Sequence, residues 1–167
     1  MKVISTRNKS EGMPALDAVL KGIAADGGLF VPLDFPKLDL EKIVNIASHG
    51  YSDLAAEILS VYFDLPKDDL KQLASDAYDS FDSPAVVPLS CLDKACVLEL
   101  WHGPTLAFKD MALQVLPRLL QKAMAQQTDG RKVLILTATS GDTGKAAMEG
   151  FRDVNGTAIV VFYPSEG

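Results

Sequence analysis

The sequence predicts an α/β protein in two parts: a mostly helical segment over residues 1–83, then from 84 to 167 the start of an open, largely parallel sheet. Two observations carry this. Between Asp39 and Ala77 apolar residues recur at spacings of three and four, the period of helices with one buried face. From Lys132 to Tyr163 two continuous apolar runs flank a tight glycine loop and a short helical pattern. That is the signature of a βαβ unit, whose strands are parallel and whose crossover is right-handed.

Taken in order, Lys2 to Thr6 reads as a short strand. Met13 to Ile23 reads as a helix with Pro14 in its first turn and Asp26-Gly27-Gly28 as its stop. Leu29 to Pro32 is extended. Three helices follow. Asp39 is placed to cap the first, with Leu40, Ile43, Val44 and Ala47 on one face. Ser52 is placed to cap the second, with Leu54, Ile58, Val61 and Tyr62 in its stripe, and Pro66 opens the third, with Leu70, Leu73, Ala74 and Ala77 inward. Asp64, Asp68, Asp69, Asp76 and Asp79 read as a solvated acidic face, because they lack the spacing of a calcium loop.

The character changes near Ser83-Pro84. Ala85 to Leu89 reads as an edge strand interrupted by Pro88, and Ala95 to Trp101 as a better strand. A helix runs from Asp110 to Gln127. Pro117 inside it predicts a bend between Leu113 and Pro117, since an interior proline costs about 3 kcal/mol. Lys132 to Thr137 is a strand buried on both faces, Thr139 to Gly144 a polar loop, Lys145 to Arg152 a helix, and Thr157 to Tyr163 a second buried strand.

Composition narrows the function classes. Apolar residues at 48% and charged residues at 23% exclude a disordered or fibrous chain. The 22 acidic and 16 basic side chains leave a net charge of −6 with no basic cluster, so no nucleic-acid surface is expected. No apolar run reaches the length of a membrane span and no leader pattern opens the chain, so a reducing cytoplasm and no membrane partner are expected. Cys91 and Cys96 lack CxxC spacing, and the histidines are only His49 and His102; neither a disulfide framework nor a metal site is expected.

The candidate chemistry lies in two loops. In Trp101-His102-Gly103-Pro104-Thr105-Leu106-Ala107-Phe108-Lys109-Asp110, one lysine stands in an apolar run, after a Gly-Pro turn and before a helix that Asp110 would cap. A helix N-terminus, and burial beside Leu106 and Phe108, would both favour a neutral, nucleophilic amine at Lys109. Asp110 would oppose this by pairing with the ammonium, and the plain alternative is a lysine whose stem covers apolar surface. His102 is open between a catalytic role and a hydrogen bond to the backbone of the turn.

The second loop, Thr139-Ser140-Gly141-Asp142-Thr143-Gly144, joins a strand's carboxyl end to a helix N-terminus, where backbone N–H groups and the hydroxyls of Ser140 and Thr143 suit an anion. A plain glycine turn is the alternative. Both a dinucleotide fingerprint and a P-loop need glycine where Thr139 stands, and a P-loop also needs Ser or Thr where Ala146 stands.

Three strings carry a resemblance: HGPT-LAFKD-MALQ around Lys109, ATSGDTG from Ala138 to Gly144, and STRN with GIAADGGLFVP near the start. They resemble the corresponding segments of the threonine synthases, pyridoxal-phosphate enzymes of the tryptophan-synthase-β-like architecture (fold type II). The resemblance implies that O-phospho-L-homoserine and water are converted to L-threonine and phosphate. It implies that Lys109 forms the Schiff base with pyridoxal 5'-phosphate and then moves protons, that Phe108 and Asp142 adjoin the cofactor, and that Ser140, Gly141, Asp142 and Thr143 face the substrate. Asp142 stands where the wider fold often has Asn at the pyridoxal hydroxyl; an acid there repels a phenolate unless a proton is shared.

Members of that family are much longer, and no second glycine-rich loop for the cofactor phosphate follows here. The resemblance therefore implies that these 167 residues are an incomplete, inactive N-terminal portion. Two alternatives stay open: a related pyridoxal-phosphate-dependent phospholyase, and a non-catalytic anion-binding domain that reuses the fold. The oligomeric state is left open.

Overall fold

The computed structural model describes residues 1–8, 12–128 and 130–165. Its contacts divide the chain into two compact units, Met1–Ser75 with Lys122–Gln127, and Asp76–Gln121 with Thr128–Gly167.

In the first unit, strand β1 (Lys2–Ser5) lies between β2 (Met13–Pro14) and β3 (Phe30–Pro32), antiparallel to both. Val3 packs against Ala15 and Ala18 of helix α1 (Ala15–Lys21), with Met13, Phe30 and Phe63 around them. Met13 and Pro14, read as the helix start, instead pair with Val3 and Lys2. The helix stops at Lys21 because Gly22 takes a left-handed φ of 74°.

The Asp26-Gly27-Gly28 segment, expected as the stop, builds a separate turn. The Asp26 carboxylate accepts from Ser5 Oγ and from the Gly28 N–H, both at 2.8 Å. These bonds, the Gly28 one foremost, hold its carboxyl below the usual range. A Cβ at Gly28 would lie 2.1 Å from Ser5 Oγ, so a side chain there would displace the serine.

Asp39 caps helix α2 (Leu40–Ala47) as expected, accepting from the N–H groups of Glu41 and Lys42. The helix's apolar face is not buried: Leu40 and Val44 are largely exposed, and Ile43 and Ile46 are half-buried. Helix α3 (Tyr51–Tyr62) is preceded by Gly50, so Ser52 lies inside it rather than capping it. Its Ala56 meets Leu70 and Ala74 of helix α4 (Lys67–Tyr78). There the sequence pattern and burial agree, with Leu70, Leu73, Ala74 and Ala77 at 4% exposure or less. Asp64, Asp68, Asp76 and Asp79 are exposed, and Asp69 pairs with Lys122 at 2.9 Å. Among the described residues no cluster of acids, histidines and cysteines is arranged for a metal.

In the second unit, β4 (Leu89–Cys91) and β5 (Cys96–Leu98) form an antiparallel hairpin. The expected strand over Ala85–Leu89 begins only at Leu89. Ala85 to Val87 form a turn in which Val86 adopts φ 59°, so Pro88 precedes the strand instead of interrupting it. The strand expected to run to Trp101 ends at Leu98. The hairpin register sets Cys91 opposite Cys96, and they form a disulfide with Cα atoms 4.1 Å apart. That corrects the expectation that no disulfide framework forms: a hairpin brings together residues whose linear spacing carries no such signal.

The long helix expected from Asp110 is two helices, α5 (Asp110–Leu113) and α6 (Leu116–Ala125). They break inside the expected interval, and Pro117 sits in the first turn of α6, where a missing N–H is harmless. Next, β6 (Val133–Ala138), α7 (Asp142–Gly150) and β7 (Thr157–Phe162) form the βαβ unit, its strands parallel and in register from Val133↔Thr157 to Ala138↔Phe162. Helix α7 begins three residues earlier than expected, so Asp142, Thr143 and Gly144 are its first turn.

The two strands are not buried on both faces. Leu134, Leu136, Val160 and Phe162 are exposed on one face, while Ile135, Ile159 and Val161 are half-buried on the other, where Gly144 of α7 lies against Val161. Among the described residues no helix is long and apolar enough to cross a membrane.

Candidate functional site

The lysine loop is organised by Asp110. Its carboxylate is 1% exposed and accepts from the Thr105 N–H at 2.8 Å and from Thr105 Oγ1 at 2.7 Å. The acid thus binds backward across its own loop; it neither caps the helix nor pairs with Lys109. Gly103 fits the same arrangement, since a Cβ there would lie 2.5 Å from Asp110 Oδ2 and Cβ. Further turns are closed by Leu106 N–H to Gly103 C=O and Asp110 N–H to Ala107 C=O, both at 3.0 Å.

Leu106 takes φ 62°, a left-handed conformation that is unfavourable for a bulky side chain. The surrounding bonds hold that strain three residues before the lysine.

Lys109 is half-buried, and its Nζ lies 4.1 Å from the centroid of the Phe108 ring. Among the described residues it makes no ion pair. Two parts of the expected environment are absent. Leu106 and Phe108 are exposed rather than enclosing the amine. Helix α5 has only four residues, too short for the expected dipole to matter. What the loop supplies is an amine over an aromatic face, with the neighbouring carboxylate turned away from it.

Ser140, Gly141 and Asp142 are exposed and Thr143 is half-buried. The glycine loop is shaped by its own backbone: Thr139 N–H extends the ladder to Phe162 C=O at 2.9 Å, and the Gly141 C=O accepts from Gly144 and Lys145. Gly144 lets α7 approach the sheet, because a Cβ there would lie 2.4 Å from Thr139 Cγ2 and 2.9 Å from Val161 Cγ1.

The two loops belong to one unit and are joined twice. Lys145 Nζ donates to the Thr105 C=O at 3.3 Å. Gly150 of α7 lies against α5 so closely that a Cβ would be 2.0 Å from the Leu113 carbonyl oxygen. Neither link was legible in advance. Gln114 is also buried, at 5% exposure, with no partner for its Nε2 among the described residues.

The ring of His102 meets two carboxylates, not the backbone of the Gly-Pro turn. Nδ1 lies 2.5 Å from Asp82 Oδ1, and Nε2 lies 2.7 Å from Glu99 Oε2. Both acids push its pKa up, Glu99 more than Asp82. Glu99 in turn is held below the usual range by the Ser90 hydroxyl and by His102. The i, i+3 spacing of Glu99 and His102 was visible in the sequence; Asp82, twenty residues away, was not.

These features place the chain among α/β proteins in which a lysine loop precedes a βαβ unit and is joined to the helix that follows that unit's glycine loop. Residues 2–78 match the family described as threonine synthase N terminus. The chain as a whole corresponds to the N-terminal portion of the threonine synthases. It is 41% identical to the threonine synthase of Pseudomonas aeruginosa over 98% of its own length and 35% of that protein's. It is 37% identical to threonine synthase-like 2 of Xenopus laevis over 98% of its length and 35% of that protein's. The solved structure of pyridoxal-phosphate-bound threonine synthase from Brucella melitensis superposes with a TM-score of 0.90 at 39% identity, covering 99% of this chain and 36% of that one. The chain therefore spans about a third of the length of these relatives.

Proposed function

We propose that this chain is the lysine-bearing portion of a cytoplasmic, pyridoxal-phosphate-dependent threonine synthase, which converts O-phospho-L-homoserine and water to L-threonine and phosphate. The observation that carries this reading is the Lys109 amine, fixed at the end of a loop whose only acid is engaged by Thr105. With the neighbouring carboxylate turned to Thr105, the amine makes no ion pair among the described residues and is left to meet an aldehyde-bearing cofactor.

When bound, pyridoxal phosphate supplies an electron sink for negative charge developing on the substrate carbons. In this reading Lys109 anchors the cofactor and afterwards accepts and returns a proton through Nζ. Phe108 flanks the ring. The hydroxyls of Ser140 and Thr143 and the N–H groups of Asp142 and Thr143, in the first turn of α7, orient the substrate carboxylate, with Gly141 shaping the turn and Asp142 beside both. Residues 1–83 serve as scaffold, and residues 84–167 begin the cofactor-binding domain. The whole reaction is proposed for a protein of the relatives' length, and the 167-residue chain alone is expected not to turn over.

A related pyridoxal-phosphate-dependent phospholyase is the second reading, because the lysine and glycine loops would serve either substrate alike. Pyridoxal phosphate, borohydride trapping and peptide mapping test the site. Covalent label is expected at Lys109 and is lost in Lys109→Ala. Label elsewhere, or equal label in the variant, would favour a non-catalytic anion-binding domain. Products from phosphohomoserine and from shorter phospho-amino acids, compared in the extended protein, separate synthase from phospholyase.

A further inference from the structure

We propose that His102 is a positioning residue, its imidazolium clamped between Asp82 and Glu99 to fix the start of the loop that presents Lys109. The inference rests on the reading of Lys109 as the cofactor lysine, but its geometry stands apart from it.

A neutral imidazole has one N–H and one acceptor nitrogen, whereas ionised carboxylates only accept. Both ring nitrogens here lie within hydrogen-bond distance of a carboxylate oxygen, so satisfying both contacts needs both nitrogens protonated. Among the described residues, Asp82, beyond α4, and Glu99, beyond β5, are the charged groups bonded to the ring. Ser90 of β4 lies behind Glu99, and the uncharged Trp101 ring has its centroid 5.8 Å from that of His102. The backbone repeats the link, since the Asp82 N–H donates to the His102 C=O at 3.0 Å.

The clamp thus ties the residue before Gly103 to two other segments. Gly103 itself is buried against the Asp110 carboxylate, and Asp110 adjoins Lys109. Shifting His102 shifts this chain of contacts and moves the lysine. The side chain is itself 17% exposed, and its ring nitrogens meet Asp82 and Glu99, not Lys109 or the glycine loop, so it acts through position and not on reacting atoms.

The sign of the pH dependence follows. The raised His102 pKa means the clamp is complete below the ordinary histidine value of 6.5 and is lost as pH rises through the higher folded value. The lowered Glu99 pKa means the clamp is also lost as pH falls below the ordinary glutamate value of 4.5 and through the lower folded value. Above the His102 transition one ring nitrogen turns a lone pair toward a carboxylate, and the loop start loosens.

Two measurements on the native chain test this. Nitrogen-15 spectra of the two histidines, assigned with a His49→Gln variant, are expected to show His102 protonated on both nitrogens below the ordinary histidine value of 6.5; a single neutral tautomer there overturns the clamp. The initial rate of borohydride-trapped labelling of Lys109 by pyridoxal phosphate is then followed against pH in native, His102→Asn and His102→Arg chains. His102→Asn is expected to be slower by roughly tenfold where the clamp is complete, as misplacing a reacting group costs, with the deficit vanishing at high pH. His102→Arg, a permanent cation with several donors, is expected to restore the rate and remove that pH dependence. Equal rates in native and His102→Asn overturn the positioning role. If no chain is labelled at Lys109 while both His102 nitrogens are protonated, the reading of Lys109 and the positioning role fall together and the clamp itself stands.

Discussion

The loop from Gly103 to Asp110 and the loop from Thr139 to Gly144 lie in the same unit, yet they hold their shapes by different means. The lysine loop closes around a buried carboxylate, carries a left-handed leucine, and requires glycine at 103 to make room for the acid. The glycine loop has no buried polar centre; Ser140, Gly141 and Asp142 are exposed, and its turn is made by backbone bonds to the Gly141 C=O and by the Gly141 N–H donating to Thr139 Oγ1. A covalent anchor must be set before its partner arrives, and a rigid loop does that. A loop that receives an anion through backbone N–H groups must leave those groups open, and burial would defeat it.

The contrast makes Asp110→Ala the most damaging change in either loop. It strips two hydrogen bonds and leaves the buried Thr105 N–H and hydroxyl without an acceptor, so a loss of about 3 kcal/mol is expected in denaturant unfolding. Asp110→Asn keeps the shape and one acceptor and is expected to lose about half as much. A loss below about 1 kcal/mol for the alanine variant would mean that Thr105 finds water instead, and that the lysine loop is not held as described.

Gly144→Ala attacks the glycine loop where it is least open. The new methyl meets two branched side chains, Thr139 and Val161, which must both give way, so a loss of about 2 kcal/mol is expected from overpacking. A neutral result would show α7 free to lift from the strands, and the two loops would then differ less than their contacts imply.

How much of this was readable follows the range of each interaction. The break before Pro117, the cap at Asp39 and the inward face of α4 depend on residues within one or two turns, and they were legible. So was the parallel pairing of β6 and β7, because a short helix between apolar runs leaves little choice. The lysine loop stands out in the sequence by its residues, but the partner of its acid does not: the pattern predicts Asp110 as a cap, and nothing local says that it turns back to Thr105. The Cys91–Cys96 disulfide, the bond from Lys145 to Thr105 and the Asp82–His102 contact depend on register and on segments meeting across the fold. An apolar strand shows what it is able to bury, not which neighbours cover it, which is why Leu134 and Phe162 were expected inside.

The smallest expected effect is the most discriminating one. Ser140 is exposed and its side chain makes no hydrogen bond among the described residues, so Ser140→Ala is expected to leave stability within about 0.5 kcal/mol of the native value. If its hydroxyl faces the substrate carboxylate, the same variant loses one charge-assisted hydrogen bond to ligand and weakens binding roughly tenfold. The readout is the protection that phosphohomoserine gives Lys109 against labelling in the extended protein. Unchanged stability with weakened protection is the pattern of an open loop built for a ligand. Lost stability would put Ser140 in the fold instead, and unchanged protection would move the substrate carboxylate elsewhere along the 139–144 turn.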